Sequence, residues 1–182
     1  MGESLDLHPA LTRLDLLADP VADALKQWAG PVPVDAVEVA EIDPDLADTA
    51  AFCAYYGVTL EESVNCVVVA AKRGSEVTYA ACMVAATTRA DVNGLVRKHL
   101  GARKASFAPL AEVAAMSGME YGGITPVGLP AGWPILVDAA AAELPSVVIG
   151  SGNRRSKLRL PGPALASLPG AEVLEGLGVP LN

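Results

Sequence analysis

Two long apolar runs joined by a short polar turn constrain the fold of this chain more than any other feature. Residues 65–72 (NCVVVAAK) and 77–87 (VTYAACMVAAT) flank Arg73-Gly74-Ser75-Glu76, a pattern typical of a β-hairpin. Because both runs are nearly continuous in apolar residues, we expect both faces of the hairpin to be covered. The sequence therefore predicts that this hairpin lies at the centre of a sheet.

The rest of the chain alternates short predicted strands with short predicted helices. The spacing of apolar residues, with Gly and Pro as boundaries, predicts strands at 34–42, 134–137 and 146–150 and an edge strand at 157–160. It predicts helices at 8–18, 19–30, 46–56, 92–100 and 109–118, and helical turns at 163–168 and 171–177. Hairpins interleaved with helices favour a mixed α/β sheet over a doubly wound parallel one.

Length and composition favour one main domain. The chain has 182 residues, of which 52% are hydrophobic and only 4% aromatic, so Ala, Val and Leu must fill the core. We expect an acidic N-terminal helical appendage over 1–33 and the main domain over 34–182. No apolar run approaches the roughly 20 residues of a membrane-spanning helix, and the acidic N-terminus is unlike a signal peptide. We therefore expect a cytoplasmic protein with no membrane partner.

The distribution of charge is uneven. Residues 1–62 hold thirteen acidic and two basic residues, whereas 63–182 hold eight acidic and eleven basic residues. The basic residues cluster as Arg97, Lys98, Arg103 and Lys104, and as Arg154, Arg155, Lys157 and Arg159. Grouped cations on an otherwise acidic protein suit phosphate binding, and a solvated surface is the alternative.

Conventional catalytic motifs are missing from the sequence. Cys53, Cys66 and Cys82 lie far apart in apolar surroundings, and we expect them to be buried, reduced thiols. A nucleophilic cysteine would need a histidine partner, and only His99 could serve. The sequence contains no zinc-site spacing, phosphate-binding loop, dinucleotide fingerprint or serine-hydrolase elbow, so we predict neither metal nor cofactor.

Two glycine-rich loops are the best candidates for a binding site. Residues 118–128 (GMEYGGITPVG) carry four glycines and a proline between a predicted helix and a predicted strand. Gly150-Ser151-Gly152 follows another predicted strand. Such loops expose backbone N–H groups that could bind a carbonyl oxygen or an anion. The alternative is that they are ordinary turns.

Several segments, in order and spacing, resemble one known family over roughly residues 35–177. They are the 118–128 loop, the apolar strand Ile135 to Asp138, the stretch Val147 to Gly152, the helix led by Asp91 with the step His99 to Lys104, and the dipeptide Asp43-Pro44. The chain resembles the YbaK/EbsC-type aminoacyl-tRNA deacylases, which share a domain with the editing insertion of bacterial prolyl-tRNA synthetases.

The resemblance implies a mixed sheet curved into a barrel-like core with helices around it. It also implies hydrolysis of the ester of a mischarged aminoacyl-tRNA, in trans and without a metal, in which loop amides face the ester carbonyl and water attacks. The substrate-binding residues implied are Gly122, Gly123, Ile124, Thr125, Pro126, Asp138, Gly150, Ser151 and Gly152. The expected partner is the tRNA acceptor end rather than DNA, and association with a synthetase or a second copy is open.

We expect the two basic groups to flank the binding pocket. The residues predicted to contact tRNA are Arg97, Lys98, Arg103, Lys104, Arg154 and Arg155.

The chain departs from the family pattern at the start of the hairpin. Asn65 stands where the family carries a functional lysine, so the candidate catalytic position holds a neutral amide. Lys72 lies about 23 Å farther along the strand and cannot replace it. Lys157 stands where many members have an acidic residue.

Two functions are therefore consistent with the sequence. The first is a trans-acting deacylase, and the second is a catalytically weak binding module of the same fold that recognises aminoacyl-tRNA or another small amino-acid conjugate. An unrelated hydrolase, or an adaptor that acts through the acidic N-terminal helices, is a more distant alternative.

Overall fold

The computed structural model describes residues 2–181 as a mixed α/β fold. Its strands are β1 (Leu7–Pro9), β2 (Glu38–Glu41), β3 (Val64–Arg73), β4 (Glu76–Ala85), β5 (Thr88–Ala90), β6 (Lys104–Phe107), β7 (Ile135–Asp138), β8 (Val147–Gly150), β9 (Ser156–Leu160), β10 (Ala171–Leu174) and β11 (Gly178–Pro180). Its helices are α1 (Asp19–Lys26), α2 (Thr49–Tyr56), α3 (Arg97–His99, continuing a π-helical turn over Val92–Val96), α4 (Leu110–Ser117), α5 (Ala139–Ala142) and α6 (Gly162–Ala166). None of the helices in this part of the chain is long and apolar enough to cross a membrane.

The predicted hairpin is confirmed as the centre of the larger sheet. Strands β3 and β4 pair antiparallel from Val64 opposite Ala85 to Arg73 opposite Glu76. Gly74 makes the turn with a φ of +61°, a conformation that favours glycine. The order β10-β7-β4-β3-β6 places both hairpin strands inside this sheet. Since β7 runs parallel to both β4 and β10, the sheet is mixed, as expected.

Helix ends follow the predicted signals. Asp91 accepts hydrogen bonds from the Gly94 and Leu95 amides and so caps the π-helical turn that leads into α3. Helices α2 and α4 both end at a glycine in the left-handed conformation, Gly57 and Gly118.

Two of the predicted elements are wrong, and a third is a strand at a different place in its sheet. Residues 171–174 form strand β10 instead of a helical turn, because they pair with β7. Strand β9, predicted at an edge, lies between β2 and β8 in the second sheet, whose order is β1-β2-β9-β8. Residues 8–18 form β1 and then two 3-10 turns, at Ala10–Thr12 and Leu14–Leu16. Their three-residue leucine spacing fits a 3-10 helix, which has about three residues per turn.

The two larger sheets meet where β3 begins. Strand β6 covers only the far half of β3, from Val69 to Lys72, so the near half has a free edge. Strand β8 approaches this edge through a parallel bridge between Ser63 and Val148. We call this junction the seam. The strands of residues 2–181 form separate sheets rather than a closed barrel, and the barrel-like curvature stays a prediction.

The N-terminal segment packs into the main core. Leu16, Val21 and Leu25 are buried in the same hydrophobic cluster as Val137 of β7 and Leu158 of β9. The division of the chain at residue 33 stays a prediction, but the apolar side chains on its two sides share one core.

Leu25→Ala is expected to lower the free energy of unfolding by about 2–5 kcal/mol, because it leaves a cavity beneath α1. Leu25 is 1% exposed, whereas the neighbouring Lys26 is exposed, so Lys26→Ala is the matched control. Chemical denaturation of both variants measures the difference. Equal stability of the two would contradict a shared core.

Candidate active site at the seam

A cleft of about 300 Å³ opens at the seam between the two sheets. Its walls come from the start of β3, the start of α2, the loop that follows α4, the end of β8 and strand β9. Four of the sequence-predicted site residues line it, namely Asn65, Gly122, Ile124 and Gly150. Segments far apart in sequence therefore meet at one cleft.

Asn65 is held by the first residue of α2. The Thr49 hydroxyl donates a hydrogen bond of 3.1 Å to Oδ1 of Asn65, and both residues line the cleft. The amide oxygen of Asn65 is thus engaged, and its NH₂ group remains a donor. The position can orient a polar ligand but carries no charge.

The two glycine-rich loops are hydrogen-bonded to each other. The Gly152 amide donates to the Gly123 carbonyl at 2.7 Å, and the Glu120 amide donates to the Gly152 carbonyl at 2.8 Å. The Gly123 amide donates to the Glu120 carbonyl at 3.0 Å and is thereby occupied within its own loop. Within residues 2–181 the Ile124 amide has no backbone acceptor, and Ile124 lines the cleft.

The glycines are needed because the backbones approach closely. A Cβ atom at Gly123 would lie 2.6 Å from the carbonyl of Asn153, and one at Gly150 would lie 2.6 Å from the carbonyl oxygens of Gly123 and Ile124. Both distances are shorter than side chains tolerate. Any side chain at Gly123 or Gly150 would push the two loops apart.

A buried polar network supports these loops from behind. Ser151 is fully buried, and its Oγ lies 2.7 Å from Oγ of Ser156. The Asn153 side-chain amide donates to the Leu16 carbonyl at 2.8 Å, and the Ser156 hydroxyl lies 2.5 Å from the same oxygen. Ser151 therefore connects the loop to the N-terminal segment and does not line the cleft.

The remaining predicted site residues also lie outside the cleft. Gly152 packs against Ala18 of the N-terminal segment. Thr125 is fully buried, and its hydroxyl has no hydrogen-bond partner among the described residues. Pro126 lines a separate groove of about 640 Å³. Asp138 is buried at the end of β7, where a side chain on Gly178 would contact its carboxylate.

Lys157 lines the cleft, whereas the sequence only groups it with neighbouring basic residues, at a position where many members of the family have an acidic residue. It lies on β9 opposite Gly150 of β8, and its Nζ is 5.3 Å from the ring centroid of Phe52 in α2. Burial lowers the pKa of Lys157, while the nearby Cys53 thiol and Asp48 act in the opposite direction. The alternation of 157–160 indicates that Lys157 points away from Leu158, but not that α2 covers that face.

The cysteines offer no activated nucleophile. Cys66 lines the cleft, but burial raises the pKa of its thiol well above the ordinary value. Burial also raises the pKa of Cys82, to about 12. His99 is hydrogen-bonded to Glu172 of β10. Residues 2–181 bring together no three His, Cys, Asp or Glu side chains that could hold a metal ion.

The two basic groups lie in different places. Arg154 is at the rim of the cleft, where its guanidinium packs against Gly122, donates to the Pro44 carbonyl at 3.2 Å and lies 3.9 Å from Asp48. Arg155 donates to the Asp15 carbonyl at 3.1 Å.

The group from Arg97 to Lys104 is far from the cleft. Lys104 pairs with Lys72, which lies at the end of β3 away from Asn65. At the rise of a strand, Lys72 and Asn65 are about 23 Å apart. The expectation that this group flanks the pocket is therefore wrong.

Several solved structures share this fold. A scaffold protein from work on computational epitope grafting is 23% identical with a TM-score of 0.73, over 87% of this chain and 95% of that chain. A proposed trans-editing enzyme for prolyl tRNA synthetase is 22% identical with a TM-score of 0.71, over 87% of this chain and 94% of that chain. A hypothetical protein is 20% identical with a TM-score of 0.72, over 88% of this chain and 100% of that chain.

At such identities these structures show the fold alone. No curated protein matches the sequence significantly. Residues 43–168, which are more than half of the chain and include every element of the cleft, match the aminoacyl-tRNA editing domain family. The protein therefore belongs to the aminoacyl-tRNA editing domain family.

Proposed function

We propose that this protein is a trans-acting deacylase that hydrolyses the ester bond of mischarged aminoacyl-tRNA. The observation that carries the proposal is the seam cleft, which combines an amide side chain, a glycine-rich backbone and a lysine in a member of an editing-domain family. Such a set can bind an ester carbonyl by hydrogen bonds and charge. Because aminoacyl-tRNA is used in the cytoplasm, we propose that the protein acts there.

Water is the attacking group in this proposal. The Cys66 thiol is neutral because burial raises its pKa, so it offers no thiolate to attack the ester. The oxygen of water bonds to the carbonyl carbon, and the bond from that carbon to the ribose oxygen breaks. The products are the free amino acid and a tRNA whose terminal hydroxyl is restored. The Ile124 amide and the Asn65 NH₂ group are proposed as the uncharged donors to the carbonyl oxygen.

The size of the cleft favours a small aminoacyl group. Ligand pockets usually measure about 300–1,000 Å³, so a cleft of about 300 Å³ is near the lower limit. Small apolar side chains are also those that a synthetase discriminates poorly, because one methylene contributes only about 1–3 kcal/mol. Editing of such a residue after charging is the task this cleft suits.

The mouth of the cleft suits a single-stranded nucleic acid end. Tyr121 and Leu110 both line it, and they are 59% and 54% exposed. Exposed aromatic rings stack on unpaired bases, and Arg154 lies beside Tyr121 on Gly122. The terminal adenosine of the tRNA would lie here, with its ester directed into the cleft.

The distant basic group would contact the tRNA backbone. In the structure Lys72 and Arg73 of β3 lie beside Arg97, Lys98, Arg103 and Lys104 and extend this group. No member forms an ion pair with a described carboxylate. Lys72 and Lys104 lie directly opposite each other on β3 and β6, although like charges so placed repel. A phosphate would relieve this repulsion. Association with a synthetase or with a second copy stays a prediction.

A binding module of the same fold is the second candidate. The observation that favours it is the neutral Asn65, engaged by Thr49 at the position where the resemblance leads one to expect a lysine. Such a module would hold aminoacyl-tRNA without releasing the amino acid.

The two candidates differ in turnover. A panel of radiolabelled mischarged tRNAs is expected to lose its smallest aminoacyl groups at catalytic protein concentration, and tRNAs with large side chains are expected to persist. Released amino acid is measured against time. Tight binding with no release from any tRNA would overturn the deacylase proposal in favour of the binding module.

Gly123→Ala is expected to lower the deacylation rate by about 100-fold, because an added methyl group forces the two loops apart and misplaces the groups that donate hydrogen bonds to the ester carbonyl. Gly30→Ala is the matched control, since its added Cβ meets nothing nearer than 3.8 Å. Initial rates of the two variants give the comparison. A Gly123→Ala protein as active as the control would show that the loop contact does not matter for catalysis.

Lys72→Glu combined with Lys104→Glu is expected to weaken tRNA binding about tenfold or more and to flatten its salt dependence, because each neutralised phosphate releases counterions. Lys26→Glu, an equal change of charge per site in the acidic N-terminal half, is the control. Binding is titrated at several salt concentrations. An unchanged salt slope in the double variant would remove this group from the tRNA contact.

A further inference from the structure

Lys157 is the one cation among the described residues that line the seam cleft. The other charged side chain of the lining, Asp48, is exposed and lies 3.9 Å from Arg154 at the rim. Lys157 itself is half-buried and forms no ion pair with a described carboxylate. A cation removed from water without a counter-ion is costly, so the cleft is built around an unneutralised positive charge.

The backbone of Lys157 lies beside the glycine-rich backbone, and Lys157 lines the cleft. Lys157 pairs with Gly150, and Gly150 is in contact with the carbonyl groups of Gly123 and Ile124. On its other side the ammonium lies over the ring of Phe52, which favours the charged form. The titratable and charged groups that face it are Cys53, Asp48 and Arg154. Burial raises the pKa of Cys53, so that thiol stays neutral beside the lysine.

We propose that Lys157 is a catalytic residue, whose ammonium contacts the carbonyl oxygen of the bound ester and stabilises the negative charge that develops there. This inference rests on the proposed deacylase function. The charge comes from β9 in the second sheet and not from position 65 in β3. One sheet thus supplies the amide of Asn65, and the other supplies the ammonium of Lys157.

The step is balanced without any covalent bond to the lysine. The oxygen of water bonds to the carbonyl carbon, and the carbonyl π electrons move to the carbonyl oxygen beside Lys157. The electron pair on that oxygen then re-forms the carbonyl double bond as the bond from the carbon to the ribose oxygen breaks. The ribose oxygen leaves with one proton that derives from the water, the second proton of the water passes to the solvent, and the amino acid leaves as its carboxylate.

Lys157→Met keeps an unbranched side chain, one atom shorter than that of lysine, and removes the charge. It is expected to lower kcat for the mischarged tRNA by about 30- to 1000-fold while KM changes little, because the charge acts on the transition state. Arg159→Met is the matched control on the same strand, since Arg159 bonds to Ser146 outside the cleft. Lys157→Gln provides a second uncharged variant, and thermal melting confirms that each variant is folded.

The charge is then restored in two ways. Lys157→Arg is expected to retain at least a tenth of the original kcat. Asn65→Lys, added to Lys157→Met, is expected to raise kcat at least tenfold, because both positions line one cleft. In the unaltered background Asn65→Lys is expected to lower kcat, since two like charges would then share the cleft.

The outcomes separate this inference from the function on which it rests. An unaltered protein that hydrolyses no mischarged tRNA overturns the proposed function, and the inference falls with it. An active unaltered protein with equally active, folded Lys157→Met or Lys157→Gln overturns the inference alone. Loss of activity that neither Lys157→Arg nor the added Asn65→Lys restores also overturns it, because the positive charge would not be what matters.

Discussion

The close contact between two glycine-rich loops is the constraint on which the site depends. Gly123 and Gly150 have no side chains, and this lets the backbone after α4 lie directly against the end of β8. The Gly152 amide then bonds to the Gly123 carbonyl, which fixes the two loops to each other. From behind, Asn153 and Ser156 bond to the Leu16 carbonyl, so the acidic N-terminal segment braces the same loops. A segment that carries no cleft residue thereby supports the cleft.

The position of the cleft follows from the topology of the two sheets. Strand β6 covers only half of β3, and the uncovered half meets β8 through the bridge from Ser63 to Val148. Asn65 of β3, Thr49 of α2 and Lys157 of β9 therefore line one opening. The neutral residue at position 65 and the cation at position 157 come from different sheets.

The sequence was informative where local chemistry decides structure. The hairpin turn at Gly74, the cap at Asp91 and the helix ends at Gly57 and Gly118 each have a short-range cause, and all were predicted. Residues 171–174 were predicted wrongly because their strand forms only by pairing with β7. Within the site, Asn65, Gly122, Ile124 and Gly150 could be selected from the motif, but not that Ser151 and Thr125 are buried behind it. The position of Lys157 in the cleft could not be predicted, because alternation shows which face of a strand a side chain occupies and not which helix covers that face.

Under the proposed function and the proposed role of Lys157, the ester of an aminoacyl-tRNA binds in the seam cleft with its carbonyl beside Lys157. A crystal structure with a non-hydrolysable amide analogue of a 3′-aminoacyl adenosine tests this most directly. We expect the carbonyl oxygen of the analogue to lie within hydrogen-bonding distance of Nζ of Lys157 and of the Ile124 amide, with the adenine against Tyr121. An analogue bound instead in the groove lined by Pro126, or one whose carbonyl lies away from Lys157, would contradict the account.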